Sequence, residues 1–188
     1  MALGNVSVFC GSRLGDRPSY ATAAGGLGAA LAERDIGLVY GGASVGLMGV
    51  VADAVLAGGG RVTGVITESL ADHEIAHHGL SRLDVVPTMH QRKARMSELS
   101  DAVIMMPGGV GTYEEFIEAV TWVHLGIHAK PCGILNVDGF YDHLLTFLSY
   151  AVERGFIGSP LIDGIIVRDD PDALMATMTE AVGVNCPD

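Results

Sequence analysis

The chain has 188 residues, 49% of them hydrophobic and 18% charged, which suits one domain with a large core better than two small ones. Its net charge is −11, from 22 acidic residues against 11 Lys plus Arg, and its only lysines are Lys93 and Lys130. So acidic a chain excludes wrapping of nucleic acid, which needs clustered cations.

The predicted elements alternate along the chain. Val6–Cys10 reads as a strand ending at Gly11-Ser12, and an Ala-rich helix runs from about Ser19 to Arg34. Ile36–Tyr40 is a strand closed by Gly41-Gly42, and Val45–Leu56 is a helix stopped by Gly58-Gly59-Gly60. Val62–Ile66 is the third strand. Thr67–Leu80 lacks periodicity and is expected to be loop or short helix, with a weaker strand signal at Leu83–Val86. A charged helix over Thr88–Leu99 leads to a buried strand, Ala102–Met106. Then come a helix over Thr112–Leu125, a strand over Cys132–Asn136, a helix over Tyr141–Arg154, a strand over Ile165–Val167 and a helical tail from Pro171. This alternation predicts an α/β fold: a single Rossmann-like, doubly wound domain over 1–188, its mostly parallel sheet covered by helices on both faces.

Ligands in such sheets bind beyond the carboxyl ends of the strands. That rule selects Gly11-Ser12, Gly41–Gly46, Thr67–Glu74 and Pro107–Glu115. No apolar run reaches the ~20 residues of a membrane span. The N-terminus has no basic flank before a long apolar region, so no signal peptide is expected. Cys10, Cys132 and Cys186 lack metal-ligand spacing and read as reduced thiols, which points to a cytoplasmic protein with no membrane partner.

Pro107-Gly-Gly-Val-Gly-Thr-Tyr-Glu-Glu115 is the strongest signal. A buried strand runs into a glycine turn and at once into a helix, whose unpaired N–H groups and dipole favour an anion. No Lys follows the last glycine, so this is not the Walker pattern, and Gly108-Gly109-Val110-Gly111 has the wrong spacing for a dinucleotide turn. The plain alternative is a tight turn with Thr112 and Glu115 forming a capping box. Arg92, Lys93 and Arg95 form a cation cluster in a cation-poor chain, either a solvated face or a grip for a phosphate or developing charge. Ser12 is a further candidate hydrogen-bond donor, and Gly42 a candidate wall of a nucleotide site. His73 and His77 have chelating i, i+4 spacing but no partner that completes a metal site, so no metal is expected.

Val39-Tyr-Gly-Gly with Gly46-Leu-Met-Gly49, Met89-His-Gln-Arg-Lys-Ala with Met96, and Pro107-Gly-Gly-x-Gly-Thr-x-x-Glu115 together resemble the LOG (Lonely Guy) family. Its members are cytokinin riboside 5′-monophosphate phosphoribohydrolases, once widely labelled lysine decarboxylases. The resemblance implies a homodimer that hydrolyses N6-substituted AMP to free base and ribose 5-phosphate, with no cofactor. It also implies Arg92 and Glu115 as the catalytic pair. Implied substrate contacts are Glu74, Arg92, Lys93, Gly109, Val110, Gly111, Thr112, Tyr113, Glu114 and Glu115. Glu114 stays open as an alternative to Glu115. Two rivals are a non-catalytic nucleotide-binding or carrier module, and a decarboxylase using pyridoxal phosphate on a lysine. The second has only Lys93 and Lys130 to draw on, in a chain short for that class.

Overall fold

The computed structural model describes residues 3–71 and 75–184. The strands are β1 (Asn5–Phe9), β2 (Gly37–Tyr40), β3 (Val62–Thr67), β4 (Arg82–Val86), β5 (Ala102–Met105), β6 (Cys132–Leu135) and β7 (Ile165–Arg168). The helices are α1 (Pro18–Glu33), α2 (Gly46–Ala57), α3 (Glu68–Ala71), α4 (Met89–Glu98), α5 (Val110–His124), α6 (Asp142–Glu153), α7 (Ser159–Asp163) and α8 (Pro171–Val184).

All seven strands are parallel, in the order β4-β3-β2-β1-β5-β6-β7. Strands buried on both sides explain why the sequence reads as short continuous apolar runs. Alternate residues feed two cores. Val6, Val8, Ala102 and Ile104 pack with α1, α2 and α8, while Phe9, Val103 and Met105 pack with Met96 of α4 and Phe116 and Val120 of α5. The expected doubly wound architecture is therefore present, with no antiparallel strand in the sheet.

The segment predicted as loop or short helix contains the short helix α3, and Ala76 makes an isolated antiparallel bridge with Ala43 after β2. One local feature differs from expectation. A short α7 lies between α6 and β7, where no element was predicted; Gly158 precedes it in extended conformation, and a proline sits in its first turn, where a missing N–H costs nothing.

The chain winds outward from β1 to β4, then returns to place β5 on the other side of β1. The loops after β1 and β5 thus diverge at the switch point of the sheet, where ligands of this architecture bind. Gly11 N–H donates to Pro107 O at 3.0 Å as the two loops part. Above them opens a cavity of about 460 Å³, floored by Gly11, Ser12 and Pro107–Gly109 and walled by Leu14, Tyr20, Leu47 and Phe140.

Candidate active site

Helix α5 starts at Val110, and its N-cap is Gly109 in extended conformation. Thr112 therefore sits inside the first turn, so the capping-box alternative for Thr112 and Glu115 does not hold. The first internal bond is Tyr113 N–H to Gly109 O at 3.2 Å, which leaves the N–H groups of Val110, Gly111 and Thr112 ahead of it. The buried Thr112 side chain turns back on Gly108, where a Cβ would stand 2.2 Å from Thr112 Oγ1. Only a glycine at 108 lets that hydroxyl close on the turn.

Helix α4 brings the cations. Thr88 caps it, accepting from Gln91 N–H at 3.3 Å, and this turns Arg92 and Met96 inward. Arg92 is buried. Its Nε donates to Val65 O at the end of β3 at 2.9 Å, and its Nη1 donates to Glu115 Oε1 at 2.8 Å. The two side chains are only 10% and 14% exposed, so this ion pair is shielded from solvent. Burial pushes the Glu115 carboxyl above the usual range; Arg92 opposes the shift without cancelling it.

Lys93 takes other partners. Its Nζ donates to Glu114 Oε1 at 2.5 Å and to Glu118 Oε1 at 3.0 Å. Burial alone would lower its pKa, but these two carboxylates outweigh that and raise it. Arg95 is structural: its Nε reaches Asp84 Oδ2 of β4 at 2.9 Å. Burial favours a neutral Asp84, yet the hydrogen bonds from Arg95 and Arg82 hold its carboxyl below the usual range. The three cations of α4 thus separate into one at Glu115, one between Glu114 and Glu118, and one locking the helix to the sheet edge.

Residues 48–178 match the family model described as "Possible lysine decarboxylase". A cytokinin riboside 5′-monophosphate phosphoribohydrolase of Arabidopsis thaliana is 49% identical over 177 residues, covering 94% of this chain and 83% of the relative. Another, from Rhodococcoides fascians, is 50% identical over 175 residues, covering 93% and 88%. The chain belongs to the LOG family. A molybdenum cofactor carrier protein of Chlamydomonas reinhardtii shares the fold alone, with a TM-score of 0.73 and 17% identity over 96% of this chain and 98% of that one.

The decarboxylase wording of the family model would call for a lysine able to hold pyridoxal phosphate. Neither lysine fits. Lys93 is held as a cation between two carboxylates. Lys130 precedes β6, at the amino end of the parallel strands and opposite the glycine turns, and donates to the Ser97 carbonyl.

Of the other expected contacts, Gly109, Val110 and Gly111 are exposed at the open helix start, and Tyr113 is half-exposed one turn in. Ser12 lines the cavity. Gly42 does not: its carbonyl accepts from His77 N–H at 2.9 Å, so its left-handed backbone (φ 77°) serves the bridge to residues 75–77. Glu74 and His73 lie outside the described residues. His77 Nε2 pairs with Asp53 Oδ1 at 2.9 Å, and among the described residues no group of three or more His, Cys, Asp or Glu could hold a metal. Sequence reasoning missed Glu118 as the second partner of Lys93, although its i, i+4 spacing from Glu114 placed both on one helix face. It also missed the cavity wall of Tyr20 and Phe140, whose rings meet edge to face at 5.7 Å.

Proposed function

We propose that this chain hydrolyses the N-glycosidic bond of N6-substituted adenosine 5′-monophosphates, releasing the free base and ribose 5-phosphate. The observation that carries the reading is a shielded Arg92–Glu115 pair beside a helix start with free N–H groups, in a chain about half identical to named phosphoribohydrolases. The 5′-phosphate binds the N–H groups of Val110, Gly111 and Thr112, where the helix dipole favours an anion. The C1′–N9 bond breaks through an oxocarbenium-like ribose, and water adds to C1′. The bond's electron pair leaves on N9; Glu115 stabilises the positive charge, takes the water proton and passes it to the departing base, which leaves neutral, a task helped by a carboxyl pKa moved toward the working pH. Arg92 holds the carboxylate in place and keeps it ionised. Engagement of Glu114 by Lys93 supports Glu115 as the reacting carboxylate. A cavity of about 460 Å³, the size of a small-molecule site, adjoins this helix start through Gly108 and Gly109, while Arg92 and Glu115 lie outside its lining.

The protein acts as a cytoplasmic homodimer. In support, Phe156 (87% exposed) and Ile117 line one apolar groove between α5 and α7, and contiguous exposed apolar surface marks interaction sites. Among the described residues no helix is long and apolar enough to cross a membrane.

The test is incubation of the purified protein with AMP and N6-isopentenyl-AMP, with free base and ribose 5-phosphate quantified. Release of both products from the N6-substituted nucleotide is expected. Binding of either nucleotide without base release would overturn the reading in favour of a binding module. Light scattering at micromolar concentration checks the dimer, and a monomeric mass would refute it.

A further inference from the structure

The guanidinium of Arg92 rests on the backbone of Gly41, the first residue after β2. A Cβ at position 41 would stand 2.3 Å from Arg92 Nη2, 3.1 Å from Met48 Sδ and 3.6 Å from Arg92 Cζ. Gly41 is not among the residues of positive φ, so its backbone would accept an L side chain. Space is the only objection, and the atom that blocks it belongs to the guanidinium.

Nor can that guanidinium step aside without consequence. It is a rigid planar fork, so moving Nη2 also moves Nε and Nη1. Nε is held by Val65 O and Nη1 by Glu115 Oε1. A methyl group at position 41 displaces Nη2 by close to an ångström, and the displacement falls on the Arg92–Glu115 bond.

We infer that Gly41 is a positioning residue for the hydrolysis: the missing side chain is the seat that lets Arg92 lie flat over the β2 turn and meet Glu115. This rests on the reading of Arg92 and Glu115 as the reacting pair. Gly41 touches no reacting atom in it and acts through Arg92. Position 41 therefore differs from position 42, where glycine serves a left-handed turn and a Cβ would first meet Ile66, Leu83 and Val65.

The experiment is a double-mutant cycle with Gly41→Ala, Arg92→Ala and the two combined, reading kcat, KM, the pH profile of kcat/KM and thermal unfolding. Gly41→Ala should lower kcat by about 10- to 100-fold, the usual penalty of misplacing a reacting group by about 1 Å. The acidic limb of its pH profile should move up, because Glu115 loses part of its cationic partner. In the Arg92→Ala background the methyl fills vacated space, so Gly41→Ala should change neither kcat nor the unfolding temperature further. Near-native kcat for Gly41→Ala would overturn the inference, and so would multiplicative effects of the two substitutions. Should Gly41→Ala alone fail to fold, the double variant must still fold as well as Arg92→Ala, and failure there overturns it too. Full activity of Arg92→Ala would instead overturn the proposed reaction centre, a separable result.

Discussion

Arg92→Ala tests the ion pair through stability as well as rate. The substitution leaves Glu115 buried beneath α4 with its cation gone. Removing one partner of a well-shielded pair costs about 3–5 kcal/mol, and side-chain exposures of 10% and 14% place this pair in that class. Glu115 can limit the loss by taking a proton. Its folded-state pKa is already raised by burial, and without Arg92 it rises further. A carboxyl whose folded pKa exceeds its unfolded value binds more protons in the native state, so stability falls as pH rises through that window. The variant's window extends above that of the wild type. Its deficit should therefore widen with pH above the wild-type Glu115 pKa, by at most about 1.4 kcal/mol per unit, and level off above the variant's own pKa. Urea unfolding of both proteins between pH 5 and pH 8 measures this. At pH 8 the melting temperature of the variant should be lower by roughly 6–20 °C, taking about 2–4 °C per kcal/mol for a domain of this size. A deficit that is the same at both pH values, or below about 1 kcal/mol at pH 8, would show that the pair is neither buried nor coupled as described.

Other outcomes are expected. Glu115→Gln keeps an acceptor for Arg92 Nη1 but leaves the buried guanidinium without a counter-charge, so turnover should drop by about 10²–10⁴ and stability by about 3–5 kcal/mol. Glu114→Gln should keep turnover within about fivefold, because its half-exposed pair with Lys93 is worth at most about 1 kcal/mol; steady-state kinetics on the two variants assign the carboxylate. Gly46→Ala should destabilise by about 2–4 kcal/mol in chemical denaturation. That glycine has φ 60°, and its Cβ would meet the Ser12 carbonyl carbon at 2.2 Å and the Arg13 nitrogen at 2.4 Å, backbone atoms that cannot swing away.

Much of the fold was legible because parallel strands buried on both faces leave apolar runs, and glycines mark their carboxyl ends. The start of α5 was not. The Thr-x-x-Glu spacing favoured Thr112 as the cap, although Thr and Gly cap about equally well; the helix starts instead after Gly109, with Thr112 packed onto Gly108. Arg92 and Glu115 were legible as candidates, yet their contact was not, since it depends on α4 and α5 packing on the same face of the sheet. The bond from Gly42 to residue 77 was not legible, because a glycine turn looks the same whether it serves a ligand or a neighbouring strand. Tyr20 and Phe140 were invisible as a wall, being brought together from α1 and the segment before α6 only by the assembled sheet.

The strand order carries one more consequence. Arg92 is anchored to the outer half of the sheet through Val65 of β3, and Glu115 is borne by the helix that follows β5 on the inner half. The bond between them spans the junction where the chain doubles back. Neither half alone holds both groups, so on the proposed mechanism catalytic competence is a property of the completed sheet. The Arg92–Glu115 pair doubles as a latch, shut only when the two windings of the fold have come together in register.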